Sequence, residues 1–374
     1  MPTPSLYTSY PLEDYHLHAS EIDKALKKTL EQGYYIMGTE VAAFEKEFAT
    51  FVGCKHAIGV ANGTDSIELL LRGLNIGVGV HVAVPSQTAV ASVSAIARAG
   101  ATPVFIDVEP DSFTISPECL EQVVKSSAGH QLKAVLAVHL YGHPADLTGL
   151  QEVCRAHRLI LLEDCAQSHG AEFLGRKVGS IGRGGSFSFY PTKNLGAIGD
   201  GGAVTTDDDE LAEKILCLRQ YGWRERYISA IEGVNSRLDE LQAAILRAKL
   251  PYLTRSNESR QRLAALYDAR LAGLPLETPR VAQGCRHVYH LYVIRTKERD
   301  ALMKHLIARG IPAALHYPAA VHQQPAYAHI TAQSPPLPNT DRLVKEILSL
   351  PLHPHLTEEA VEHACAAVRE FFHS

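Results

Sequence analysis

One lysine and one aspartate, each placed after a run of strand-forming residues, carry the chemistry this sequence can perform. Lys193 lies in the stretch GSFSFYPTKNLGAIGDGG at 185–202. Ser186 to Tyr190 alternates small polar and aromatic residues, the period of a half-buried strand. Pro191 ends regular pairing, and Lys193 follows in a turn closed by glycines. Phe187, Phe189, Tyr190, Leu195 and Ile198 hem it in and predict an apolar pocket for its amine. Burial favours the neutral amine and lowers the lysine pKa, which is what a Schiff base with a carbonyl requires. The stretch by itself equally permits a structural lysine salt-bridged to a carboxylate.

Asp164 closes the run LILLED at 159–164, a buried strand that delivers charge to its C-terminal edge. A buried aspartate must be paired or it protonates. Its partner is either an Arg or Lys of the protein or a cationic ligand atom such as a protonated pyridine nitrogen. A third piece is ANGTDS at 61–66, a strand end, a glycine turn and the first residues of a helix. The free N–H groups of a helix start form an anion site, although Thr64 and Asp65 also suit plain N-capping. An imine-forming lysine, an aspartate upstream of it and a phosphate cradle are together the parts of a pyridoxal phosphate site. The aldehyde is held by the lysine, and the aspartate keeps the ring nitrogen protonated.

The elements around these residues alternate. Two helices within 18–50 flank a YYIMG turn, and strands follow at 56–60, 81–84, 103–107, 133–140 and 159–163. Helices at 88–99, 117–126 and 147–157 lie between them, and 201–206 reads as a further strand. Such alternation predicts an α/β domain with a mostly parallel sheet, whose ligands gather at the carboxyl ends of the strands. A helix from Arg237 to Lys249 and a charge-rich helix at 254–271 lead into a smaller α+β domain. There a strand at 290–295 and helices at 298–309, 341–348 and 357–371 are expected. The expected division is a large domain at 1–250, with the N-terminal segment, and a small C-terminal domain at 251–374. A chain of 374 residues fits two domains.

Composition narrows the function classes. With 46% hydrophobic and 21% charged residues the chain is globular, and a net charge of −5 leaves no basic footprint for nucleic acid. No apolar run reaches membrane-spanning length, and the first residues lack a secretory pattern. Seven scattered cysteines without a CxxC read as reduced thiols in a cytoplasm. The 19 histidines show no metal-site spacing, so no metal is expected.

The ordered motifs resemble the DegT/DnrJ/StrS family of pyridoxal phosphate-dependent nucleotide-sugar aminotransferases, of fold-type I, from Gly38 to Tyr327. The likeness rests on ANGTDS at 61–66, PVFIDVEP at 103–110, VHLYGHPADL at 138–147 and EDCAQSHGA at 163–171. It continues through SFSFYPTKNLGAIGDGGAV at 186–204, NSRLDELQAAIL at 235–246 and HYPAAVHQQPAY at 316–327. The resemblance implies Lys193 as Schiff-base lysine and proton carrier, Asp164 on the pyridine nitrogen and Gln167 near the ring hydroxyl. It implies Gly63, Thr64, Asp65 and Ser188 around the phosphate. Asn235, which the sequence also places as a helix N-cap, would reach the phosphate of a neighbouring subunit, giving a homodimer with shared sites. His316, Tyr317 and His322 resemble positions at the nucleotide-sugar entrance. Where many relatives carry an aromatic residue that stacks on the cofactor, this chain has Ala89, and Gln87 is the candidate to cover the ring.

The implied reaction moves an amino group from L-glutamate to a nucleotide-linked keto-deoxyhexose, with dTDP as carrier and C3 favoured over C4. A different keto-sugar or a keto-cyclitol as acceptor, or a pyridoxal phosphate-binding regulator, would retain the same cofactor residues.

Overall fold

In the computed structural model, residues 8–126, 129–331 and 334–373 are described. The first seven residues, part of the segment read as lacking a secretory pattern, lie outside that set. Seven strands form the main sheet: β1 (His56–Val60), β2 (His81–Pro85), β3 (Thr102–Ile106), β4 (Leu132–Val138), β5 (Ile160–Asp164), β6 (Gly184–Ser188) and β7 (Gly202–Thr206). Their order is β1-β7-β6-β5-β4-β2-β3, with β7 antiparallel to both neighbours and the pairings from β6 to β3 parallel. The mostly parallel sheet expected from the strand–helix alternation is therefore present.

Both faces of the sheet are covered, as near-continuous apolar strands demand. One face packs against helices Thr39–Val52, Leu147–His157 and Glu240–Lys249, through residues such as Phe44, Phe48, Val135, Leu161 and Leu246. The other packs against Gly63–Gly73, Val90–Arg98 and Asp209–Leu218, through Ile67, Leu70, Ile96, Leu136, Leu162 and Ile215. Successive side chains of a strand point to opposite faces, so Leu161 and Leu162 enter different cores. Beyond residue 253, a third core gathers Tyr267, Tyr292, Leu302, Leu348 and Val361. It is built from helices Leu253–Leu271, Arg299–Ala308 and Glu358–His373 and an antiparallel pair, Tyr292–Arg295 with Ile347–Leu350.

Two expectations change, and one helix is added. The helix expected at 341–348 ends at Glu346, and ILSL continues as a strand because Ile347, Leu348 and Leu350 pair along 292–295 and enter cores. The helix expected from Arg237 starts at Glu240, with Asp239 as N-cap. Glu240, fully buried, turns back to accept the N–H groups of Gly38, Glu40 and Val41 at 2.7–2.9 Å, capping the helix Thr39–Val52. Helix Asp209–Leu218, for which the sequence reading had no assignment, is N-capped by the Asp208 carboxylate.

Candidate active site

Lys193, Asp164, Gln167 and Ser188 all follow or end the adjacent strands β5 and β6. After Ser188 the chain leaves the sheet and folds on itself. Lys193 N–H donates to the Tyr190 carbonyl at 2.8 Å, and Ala197 N–H to that of Phe189 at 2.7 Å. Lys193 is half-buried, and among the described residues its Nζ has no hydrogen bond or ion pair. The salt-bridged structural lysine is thereby set aside. Burial pushes its pKa down to about 8, opposed by the Asp164 charge. The pocket differs from the expected one: Phe187, Phe189 and Leu195 are buried, whereas Tyr190 and Ile198 are about half exposed. Polar rings close the gap instead. The Lys193 charge lowers the pKa of His169, His290 and His316, each already lowered more strongly by burial. Neutral imidazoles thus lie within reach of the amine's charge.

Asp164 ends β5, and its carboxylate is held from two sides. Ser92 Oγ, on the helix Val90–Arg98, donates to Oδ2 at 2.7 Å, and Ala166 N–H donates to Oδ1 at 3.0 Å. Ser92 is itself 3.0 Å from Thr88 Oγ1. The side chain is 4% exposed yet has no cationic partner within salt-bridge distance among the described residues. That leaves it free for a cationic ligand atom.

At the helix Gly63–Gly73, Asn62 is the N-cap and accepts the Asp65 N–H at 2.8 Å. The Gly63 and Thr64 N–H groups have no partner among the described residues and remain available at the positive end of the helix. Ser188 lies against this turn so closely that a Cβ on Gly63 would meet the Ser188 Cβ at 2.7 Å. A Cβ on Gly202 would meet the Asn62 carbonyl carbon and oxygen at 2.4 Å. Glycine is therefore required where the two strand ends and the helix start converge. Asp65 is a correction: its N–H is spent on the cap, and its carboxylate pairs with Arg98 at 3.0 Å and accepts from Ser236 at 2.8 Å. It shapes the turn and offers no donor to an anion.

Gln167 and Gln87 meet around Tyr141. Gln167 Oε1 accepts the Tyr141 N–H at 2.7 Å, and its Nε2 donates to Tyr317 Oη at 3.0 Å. Gln87 Nε2 donates to Tyr141 Oη at 3.3 Å, while its Oε1 is buried without a donor. Tyr141 Oη in turn donates to the His316 carbonyl. His316 and Tyr317 are thus tied to Tyr141 and Gln167, with His316 Nδ1 2.9 Å from Ser349 Oγ. His322 is committed on both ring nitrogens, Nδ1 to Ser86 Oγ at 2.7 Å and Nε2 to Asp341 at 3.0 Å. It fastens the loop to the Ser86–Gln87 turn.

Asn235 stands apart from these. It is exposed, bridges Gln220 in an extended segment and lies five residues before the helix, so it caps no helix. Ser92, Tyr141 and His290 escaped the sequence reading. Each is brought in from a separate element, and nothing in its local pattern distinguishes it from core.

Glu163 beside Asp164 has a different role. It accepts from Gly179, Ile181 and Gly182 N–H groups at 2.7–2.8 Å and from His139 Nε2 at 3.1 Å. His139 Nδ1 accepts the Ala145 N–H at 2.9 Å, which fixes the proton on Nε2. The cluster His139, Glu163 and Cys165 has ligand atoms close enough for a metal, but its His and Glu donor atoms are already used.

The arrangement fits pyridoxal phosphate. A glycine cradle with two free N–H groups, an unpaired enclosed amine, a carboxylate without a cation and an orphaned buried amide oxygen converge in one place. Comparison with known proteins agrees. The model of the DegT/DnrJ/EryC1/StrS aminotransferase family matches residues 17–369. A dTDP-3-amino-3,4,6-trideoxy-alpha-D-glucose transaminase of Streptomyces venezuelae is 45% identical, over 94% of this chain and 92% of its own. A dTDP-3-amino-3,6-dideoxy-alpha-D-galactopyranose transaminase of Aneurinibacillus thermoaerophilus is 43% identical, over 95% and 96%. The crystal structure of S. venezuelae DesV in complex with a ketimine intermediate aligns over 100% of both chains at TM-score 0.95 and 44% identity. The chain belongs to the DegT/DnrJ/EryC1/StrS aminotransferase family.

Proposed function

We propose that this protein is a pyridoxal phosphate-dependent aminotransferase that moves an amino group from L-glutamate to a nucleotide-linked keto-deoxyhexose. The observation that carries the reading is the enclosed, unpaired Lys193 amine facing the Asp164 charge. When bound, the cofactor supplies an aldehyde that carries the amino group and a protonated ring that takes up the electron pair of a departing proton.

The residues of this chain do the rest. With its pKa brought down to about 8, about a tenth of Lys193 is neutral at pH 7, far more than for an ordinary lysine; it would bind the aldehyde and then carry the proton that leaves and returns to carbon. Asp164, fixed by Ser92 and Ala166, would hold the ring-nitrogen proton. Gly63 and Thr64 N–H groups and the Ser188 hydroxyl would hold the phosphate. Gln167 would orient the ring hydroxyl, and Gln87 would serve the ring where this chain has Ala89 in place of an aromatic residue. His316 and Tyr317 line the sugar entrance, and His322 positions the loop that carries them.

The dTDP carrier and amination at C3 are favoured because the relatives above are named for dTDP-3-amino sugars. A homodimer with shared sites is favoured by Asn235, whose exposed side chain has no partner among the described residues of its own chain. A third core drawn from residues between 263 and 368 supports a small C-terminal domain, proposed to begin at 251 although Leu253 still packs in the core of the large one. No helix among the described residues is long and apolar enough to cross a membrane, which is compatible with a cytoplasmic site of action.

The test is a panel of nucleotide-linked 3- and 4-ketosugars incubated with holoenzyme and L-glutamate. We expect 2-oxoglutarate and aminosugar in equal amounts, greatest with a dTDP-linked 3-ketosugar. Loaded enzyme that turns over none of the panel would overturn the reading.

A further inference from the structure

A second buried cation lines the same cleft as Lys193, with only the more distant Asp14 charge acting on it. Arg260, on the helix Leu253–Leu271, is 5% exposed. Its Nη1 donates to the Tyr289 and Leu352 carbonyls, both at 3.2 Å, and its Nε is buried without an acceptor. No carboxylate lies within salt-bridge distance of it among the described residues. A buried guanidinium left this way is costly, and burial lowers its pKa to about 10.

Arg260 lines a small, solvent-open cleft shared with Tyr10, Asp14, Lys193, His353 and His355. His353 is 4% exposed, and both its ring nitrogens are buried without partners. Asp14, the carboxylate of the cleft, is already neutralised by Lys249 and by His355 at 3.3 Å. The cleft therefore presents one unpaired cation and one uncommitted neutral imidazole, with the reactive lysine at its edge. Guanidinium and imidazole donors together suit a carboxylate, which arginine binds through two parallel hydrogen bonds.

We propose that Arg260, assisted by His353, binds the side-chain carboxylate of the dicarboxylic amino donor. The proposal rests on the aminotransferase reading and adds where the donor is recognised. The choice of the distal carboxylate follows from the setting of the two cations. Arg260 holds the Tyr289 carbonyl at 3.2 Å, and the next residue, buried His290, has its Nδ1 3.1 Å from the Oδ1 of Asn194, the neighbour of Lys193. Arg260 is thus set back from the amine with an imidazole between, the place of a side-chain terminus rather than of a group on the reacting carbon.

Glutarate, which has both carboxylates and no amino group, is the probe, titrated calorimetrically into holoenzyme. The wild type should bind it, and Arg260→Gln should weaken binding roughly 10- to 100-fold. Arg260→Lys should recover part of the loss. Since Arg260 also ties two backbone carbonyls, His353→Leu serves as a second variant that leaves those bonds intact, with an expected loss of several-fold. L-Alanine, lacking the distal carboxylate, should react with wild type and Arg260→Gln at similar rates. Unchanged glutarate affinity in folded Arg260→Gln and in His353→Leu, or equal loss of glutamate and alanine reactivity, would overturn the assignment. Wild type that binds glutarate but aminates no ketosugar would overturn the function and leave the donor site standing.

Discussion

Glu163 and Asp164 are neighbours on one strand, both buried carboxylates, and their surroundings are opposite in kind. Strand alternation turns Glu163 to the face of Leu161 and Asp164 to the face of Leu162. On its face Glu163 meets three backbone N–H groups and the His139 ring. Its pKa is lowered because those donors outweigh burial, and its charge has no capacity left for a ligand. Asp164 meets one hydroxyl and one N–H, and among the described residues no cation within salt-bridge distance. A saturated carboxylate holds the fold, and an under-satisfied one waits for a ligand. The same contrast separates Asp65, paired with Arg98 and Ser236, from the free N–H groups of Gly63 and Thr64 beside it.

That contrast can be broken by substitution. Glu163→Gln removes the charge that its donors were arranged to meet, and should cost roughly 3–5 kcal/mol of stability. Activity per folded molecule should stay near wild type, which urea denaturation followed by an activity assay on folded protein checks. The sign with pH is fixed: a carboxylate whose pKa is depressed by folding stabilises above its unfolded pKa and loses that contribution as pH falls. The gap between wild type and Glu163→Gln should narrow through the acid range. Asp164→Asn should do the reverse, with melting temperature little changed and the half-reaction with glutamate slowed by about 10²- to 10³-fold in single-turnover measurements. A smaller effect belongs to Ser92→Ala, which frees one oxygen of Asp164 and should slow the same step by about tenfold or less. Equal losses in both carboxylate variants, in either assay, would erase the distinction.

The sheet was legible because each parallel strand is a short apolar run closed by turn residues, and the lysine turn, the glutamate–aspartate pair and the glycine turn sit at such ends. The strand 347–350 was missed because a short apolar run after a helix has no period of its own; its pairing with 292–295 decides it. Ser92 could not be foreseen, since its bond to Asp164 spans 72 positions in the chain. Asn235 was placed at a helix start because NSRLDE has capping residues in plenty, and the choice fell to Asp239 once Asp239 bridged Ile36. Tyr190 and Ile198 read as pocket walls from their spacing, but spacing within a turn does not say which side faces in.

The most direct test of the account is where the cofactor attaches and at what pH. Apoprotein is loaded with pyridoxal phosphate from pH 6 to 10, reduced with borohydride and mapped by peptide mass. The adduct should sit on Lys193. Because only the neutral amine attacks a carbonyl, the loading rate should rise with pH and level off above about 8, the value to which burial brings this amine. An adduct on another lysine, or a rate still climbing towards the ordinary lysine range, would contradict an uncommitted Lys193 as the centre of the site.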